Sequence, residues 1–136
     1  MPAEWDWSLR PFDHVDVHAS DYGESVRFYE TVLSPLGVPR VAEGEGWTCF
    51  ANLNVADRTP ATQNLHLCFY ARAKEHVDAF HRAGVEAGFS SNGEPGDRDY
   101  APGYYAAYLL DPDGNNVEAL YRDVGNVGHG VAPSLR

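Results

Sequence analysis

Tyr104-Tyr-Ala-Ala-Tyr-Leu-Leu-Asp-Pro-Asp-Gly-Asn-Asn-Val-Glu-Ala-Leu-Tyr121 is the stretch whose reading decides the fold. Two runs of β-type residues are joined through Asp111-Pro112-Asp113-Gly114-Asn115. Proline fixes φ, glycine accepts positive φ, and Asp and Asn side chains bond back to the turn backbone. That composition predicts a hairpin. The odd residue is Glu118, a carboxylate in the middle of the second run. Alternation puts Asn116, Glu118 and Leu120 on one face, and Val117, Ala119 and Tyr121 on the other. A carboxylate in mid-strand is either solvated or held by something positive.

Working outward, two earlier runs show the same division. From Phe12, His14, Asp16 and His18 alternate with Asp13, Val15 and Val17. From Leu65, His66, Cys68 and Tyr70 alternate with Leu67 and Phe69. Each run precedes a helical pattern. Ser20 or Asp21 can cap the first helix, because a side-chain oxygen there accepts an orphan backbone N–H. Val26, Tyr29, Leu33 and Leu36 then recur at helical spacing, until Pro35 and Gly37 end it. In the second helix Val77 and Phe80 face inward. Gly84 should weaken that helix by about 1 kcal/mol relative to Ala, and Gly88 terminates it. His14 and His66 lie 52 residues apart, and the same spacing relates Ala19 to Ala71 and Phe28 to Phe80. The chain therefore reads as two copies of strand–helix–strand–strand–strand.

Between these landmarks, Val38 to Ala42 and Trp47 to Leu53 read as strands. Residues 54–64 read as a truncated strand plus a linker, leaving an edge that a second copy of the chain could cover. Ser90 to Pro102 reads as a Gly/Pro/Asp loop. Trp5 and Trp7 are expected to pack on another surface, and residues 123–136 to form a loose tail. His76 and His81 read as surface residues of the second helix. His129 falls in the tail.

The 136 residues suit one domain. A formal net charge of −10 argues against nucleic acid or an anionic membrane as partner, and against a multiply anionic substrate. No run is long enough to span a bilayer, and no basic-then-apolar leader opens the chain. Cys49 and Cys68 read as buried reduced thiols, which makes the cytoplasm the expected location.

His14, His66 and Glu118 share one property: each lies on the strand face opposite its apolar residues. Brought together, two imidazoles and a carboxylate form a facial triad with open metal positions. At this point the chain resembles the vicinal-oxygen-chelate superfamily, which includes glyoxalases, extradiol dioxygenases, methylmalonyl-CoA epimerases, fosfomycin-resistance enzymes and bleomycin-resistance proteins. The resemblance runs from Phe12 to Arg122. It rests on Asp13-His14-Val15 with Asp21, Ser25 and Phe28-Tyr29, on His66-Leu67-Cys68-Phe69, and on Gly103-Tyr104-Tyr105 leading into Asp111 to Glu118.

The resemblance implies an α+β fold. Two βαβββ modules, residues 12–60 and 64–122, would form a curved, mostly antiparallel eight-stranded sheet, a half-open barrel with helices outside. It implies His14, His66 and Glu118 as ligands of a divalent ion such as Fe(II), Mn(II), Ni(II) or Zn(II). It also implies a small substrate chelated through adjacent oxygens, and a homodimer. One departure stands out. Glyoxalase I uses a fourth position, a Glu on the last strand of its first module, as proton shuttle, and Asn52 to Gln63 contains no Glu. The three-ligand arrangement is closer to dioxygenases or to fosfomycin-type thiol transferases. For the former, His18 and Tyr70 are candidate acid/base residues. For the latter, Arg72 and Arg98 are candidate anion contacts. A metal-free drug-sequestering protein of the bleomycin-resistance type is the alternative.

Overall fold

The computed structural model describes residue 6 and residues 8–122. Trp5, Trp7, His129 and the tail from Asp123 lie outside the described residues. Among the described residues, eight strands and two α-helices form two successive βαβββ modules. The first runs β1 (Val15–Ala19), α1 (Tyr22–Leu33), β2 (Arg40–Gly44), β3 (Trp47–Phe50) and β4 (Leu53–Asp57). The second runs β5 (His66–Tyr70), α2 (Lys74–Glu86), β6 (Ser91–Arg98), β7 (Tyr104–Leu110) and β8 (Asn116–Tyr121). The strands form two four-stranded mixed sheets, ordered β1-β4-β3-β2 and β5-β8-β7-β6.

Local chemistry explains the elements. Asp21 caps α1, its Oδ1 accepting from the Glu24 N–H at 3.1 Å. After α1 a short 3-10 turn, Ser34–Leu36, carries Pro35 and closes on Gly37 at φ 75°. Alternation then divides each sheet. Val17, Val55, Phe50, Ala107, Leu109, Val117 and Ala119 join Phe28, Tyr29, Val32, Val77 and Phe80 of the helices in one buried core. One face of both sheets is thereby covered by helices. The other faces point away from the shared core and carry the polar candidates.

Several expectations are corrected. The run from Trp47 to Leu53 is two strands, because Ala51 takes a positive φ of 51° and a tight turn forms at Ala51-Asn52. The segment read as a truncated strand plus linker contains β4, which pairs with both β1 and β3. It is thus no edge, and the expected exposed edge of the first module lies at β1 and β2 instead. The stretch read as a Ser90–Pro102 loop contains β6, a register-shifted edge strand. Pro95 is tolerated there because an edge strand leaves one side of its backbone unpaired. His14 sits just before β1 rather than mid-strand. Both cysteines are free, as expected, but neither is buried. No helix among the described residues is long and apolar enough to cross a membrane.

The turn of the opening stretch ties the modules together. Asp111 is buried and accepts at Oδ1 from the backbone N–H groups of Asp113 and Asn115, each at 2.9 Å. Its Oδ2 accepts from the Tyr29 hydroxyl on α1 at 2.7 Å. Asn115 donates to the Thr62 carbonyl at 2.9 Å, and Ser20 bonds Asp113. Asp111 and Asp113 are thus structural, as their place in a turn suggests.

Candidate functional site

The second module builds a cavity of about 560 Å³ on its outward face. Parallel pairing sets Cys68 opposite Glu118, and antiparallel pairing sets Tyr108 against Glu118. This register gathers His66, Tyr104, Tyr108, Glu118 and Arg122 around one space, with Tyr70 and Tyr100 as further walls. A small apolar cluster of Ala101, Tyr104, Ala106, Tyr108 and Leu120 supports it from the same face.

Glu118 is the centre of this cavity and is only 1 % exposed. Its Oε1 lies 2.8 Å from His66 Nε2, and its Oε2 accepts from the Tyr104 hydroxyl at 2.5 Å. The question posed by a mid-strand carboxylate is answered: an imidazole and a phenol hold it. Burial, reinforced by the bond to Glu118, pushes the Tyr104 phenol well above its ordinary pKa. Burial together with the charge of Glu118 does the same to Tyr108. Both hydroxyls therefore remain protonated donors. An imidazole nitrogen and a carboxylate oxygen in contact can share a proton, or part to share a cation.

His14 is elsewhere. It lines a second, more open cavity on the first module with Arg10, Asp13, Trp47, Cys49 and Asn54. The two cavities have no lining residue in common. Asp13 holds His14 Nδ1 at 3.0 Å, and His14 Nε2 lies 3.8 Å from Asp16 Oδ1. That hydrogen bond, with Asp16 nearby, raises the His14 pKa. Among the described residues no three His, Cys, Asp or Glu side chains converge to hold an ion. The structure therefore joins His66 to Glu118 within one chain and leaves His14 apart.

The remaining candidates separate similarly. Tyr70 is 54 % exposed on the wall of the His66 cavity. His18 is in neither cavity, and its backbone N–H is fixed by Thr62 Oγ1 at 2.8 Å. Arg98 donates to the Glu94 carbonyl and lies over the Tyr108 ring, while Arg72 is exposed. Neither lines the cavity. The cation that does is Arg122, missed in the sequence. Alternation through Glu118, Leu120 and Arg122 could have found it.

The repeat also locates the first-module position that corresponds to Glu118. Asp16 stands two residues after His14 as Cys68 does after His66, and Asp16 pairs with Asn54 where Cys68 pairs with Glu118. Asn54 is thus the first module's counterpart of Glu118. Its Oδ1 accepts from the Cys49 thiol at 3.3 Å.

With this geometry in view, the comparisons are specific. The family model of the Glyoxalase/Bleomycin resistance protein/Dioxygenase superfamily matches residues 12–119. The chain belongs to that superfamily. A glyoxalase/bleomycin resistance protein from Albidiferax ferrireducens T118 is 37 % identical, with a TM-score of 0.71 over 82 % of this chain and 98 % of that one. A lactoylglutathione lyase from Agrobacterium tumefaciens is 23 % identical, with a TM-score of 0.59 over 82 % and 95 % of the two chains. The oxidase ChaP-H2 is 24 % identical, with a TM-score of 0.62 over 88 % and 98 %. The last two likenesses concern the fold alone. No curated protein matches the chain. Superfamily membership accounts for the paired modules and leaves the reaction open.

Proposed function

We propose that this superfamily member is a metal-dependent homodimeric enzyme whose centre is shared between copies. His66 and Glu118 of one copy and His14 of the other would hold a divalent ion. The observation that carries this reading is the His66–Glu118 contact at 2.8 Å, made by a buried carboxylate at the floor of a substrate-sized cavity. The donor set fits the ion: two imidazoles and one carboxylate leave positions open for substrate. The exposed apolar residues support pairing. Val41 and Trp47 flank His14, and Tyr70 and Tyr100 flank His66, so each half-site has a rim that a second copy can cover. A twofold arrangement would set each first-module face against a second-module face.

Once bound, the ion would polarise two adjacent oxygens of a small substrate. The chain's own groups do the rest. His66 Nε2 and Glu118 Oε1, in contact at 2.8 Å, would be the donor atoms they give to the ion. Tyr104 keeps its proton and orients Glu118. The tyrosine walls exclude water from one face of the substrate. Asn54 stands at the first-module position that corresponds to Glu118, and its neutral amide offers no proton acceptor of a carboxylate's strength. The expected chemistry is therefore lyase-, isomerase- or dioxygenase-like without a Glu shuttle on the first module.

Complementation tests the arrangement. Purified without chelator, the protein should carry one ion per chain, and His14→Ala and Glu118→Ala should each carry none. Mixed dimers of those two variants should regain one ion per dimer, because one centre keeps all three ligands. Loss of metal that mixing never restores would remove the shared centre. A wild-type protein that takes up no Fe(II), Mn(II), Ni(II) or Zn(II) would favour the metal-free binder, for which the aromatic cavity is the supporting feature.

A further inference from the structure

Arg122 has no place in the chemistry above, yet it is among the most buried charged residues described. It is 3 % exposed, and neither its Nε nor its Nη1 has a hydrogen-bond partner among the described residues. It lines the cavity that holds His66 and Glu118. The carboxylate that shares the cavity, Glu118, is already engaged, with its oxygens bonded by His66 and by Tyr104. Arg122 lies four residues beyond Glu118 on the same strand face, about 13 Å along an extended chain. Leaving a guanidinium buried and unpaired is costly, and this chain has a net charge of −10 with which to avoid it.

We propose that Arg122 is the anion-recognition group of the cavity, and that the ligand is a small planar molecule carrying one carboxylate. This rests on the proposed function and names its substrate class. The guanidinium carries a full charge with two N–H-bearing nitrogens unmet, and an anionic carboxylate oxygen is a partner that meets both the charge and the hydrogen-bonding need. The same cavity is lined by Tyr70, Tyr100, Tyr104, Tyr108 and Leu120, which suit a flat apolar body. Glu118 and the acidic chain disfavour a second negative charge on the ligand, so a monoanion fits better than a phosphate dianion. Arg122 thereby fixes which end of the substrate points away from His66 and Glu118.

Isothermal titration with three probes tests this: benzoate, its neutral isostere benzamide, and phenyl phosphate. Each is titrated into the protein as purified and again after chelator treatment, so that a carboxylate bound to metal is not mistaken for one bound to Arg122. Benzoate should bind at least about tenfold more tightly than benzamide in both states. Arg122→Gln should remove that preference while leaving benzamide unchanged and metal content intact. Equal binding of benzoate and benzamide to the chelator-treated wild type would overturn the assignment, even if the variant failed to fold. Phenyl phosphate binding more tightly than benzoate would overturn the monoanion class. A benzoate preference that appeared only with metal present would transfer the anion site to the ion. Failure of the shared centre, by contrast, would appear as absent metal with the benzoate preference retained.

Discussion

The two modules share a topology and put it to different uses. In the second, the outward face has its own apolar cluster, a cavity, and a buried carboxylate held by two neighbours. In the first, the equivalent face is open. The Glu118 position is Asn54, and the equivalent histidine, His14, has a side chain 58 % exposed. Their last hairpins differ too. The first module turns in Ala51-Asn52, whereas the second uses a five-residue turn whose Asp111 reaches across to Tyr29 of the first. A repeat thus keeps strand order while its side chains specialise. One half supplies a pocket, and the other supplies a surface.

The largest effect that would test this division is at Asp111. Replacing it with Ala removes two backbone bonds of the turn and leaves the fully buried Tyr29 hydroxyl without its acceptor. Each orphaned buried group costs about 1–3 kcal/mol. Asp111→Ala should lower unfolding free energy by about 3 kcal/mol or more, read from urea denaturation. A change below about 1 kcal/mol would mean that the second module's turn does not clasp the first.

A smaller effect lies where the helices meet. Gly84 of α2 and Val32 of α1 are 52 residues apart, so they are equivalent positions of the repeat. On helix propensity alone, Gly84→Ala gains about 1 kcal/mol. A Cβ there, however, would lie 2.5 Å from Leu109 Cδ1 and 3.2 Å from Val32 Cγ1, both on fully buried residues. Overpacking of that kind costs about 1–3 kcal/mol. The variant should be destabilised by about 1 kcal/mol in the same denaturation experiment. A gain would show that the helices part freely, and that the asymmetry between Val32 and Gly84 carries no packing role.

This contrast also marks how much was legible beforehand. Helix ends, the Asp111–Asn115 turn and the shared face of His66 and Glu118 follow from local rules, because capping, turn and alternation chemistry act over a few residues. The β6 strand did not show, since Gly93, Pro95 and Gly96 have loop composition and only pairing with β7 keeps them extended. β4 was obscured by the positive φ at Ala51, which splits an apparently continuous run. Alternation put His14 on the face opposite Val15 and Val17 but could not say which sheet's hollow that face adjoins. That depends on how the two modules pack through their helices, a property no local pattern carries. Gly84 is the same lesson in the core, where propensity points one way and Leu109, 25 residues further along the chain, points the other.

The smallest effect is a difference in pH response between one histidine of each module. His81 on α2 contacts Ser91 Oγ at 2.7 Å, and burial lowers its pKa below the ordinary 6.5, with Glu94 opposing. Between those two values the unfolded chain binds the proton more readily, so stability falls as pH drops. His14 is shifted the other way by Asp13 and then Asp16. Its contribution is complete below 6.5 and fades as pH rises through the folded value. On going from pH 7.5 to 5.5, chelator-treated His81→Gln should therefore lose less thermal stability than wild type, and His14→Gln should lose more. Both shifts should be small, because His14 is open to solvent and its screening and His81 is only partly buried. Changes of the same sign in the two variants would show that the modules do not differ in how they hold their histidines, since a partly desolvated imidazole and an acid-paired one cannot respond alike to the same proton.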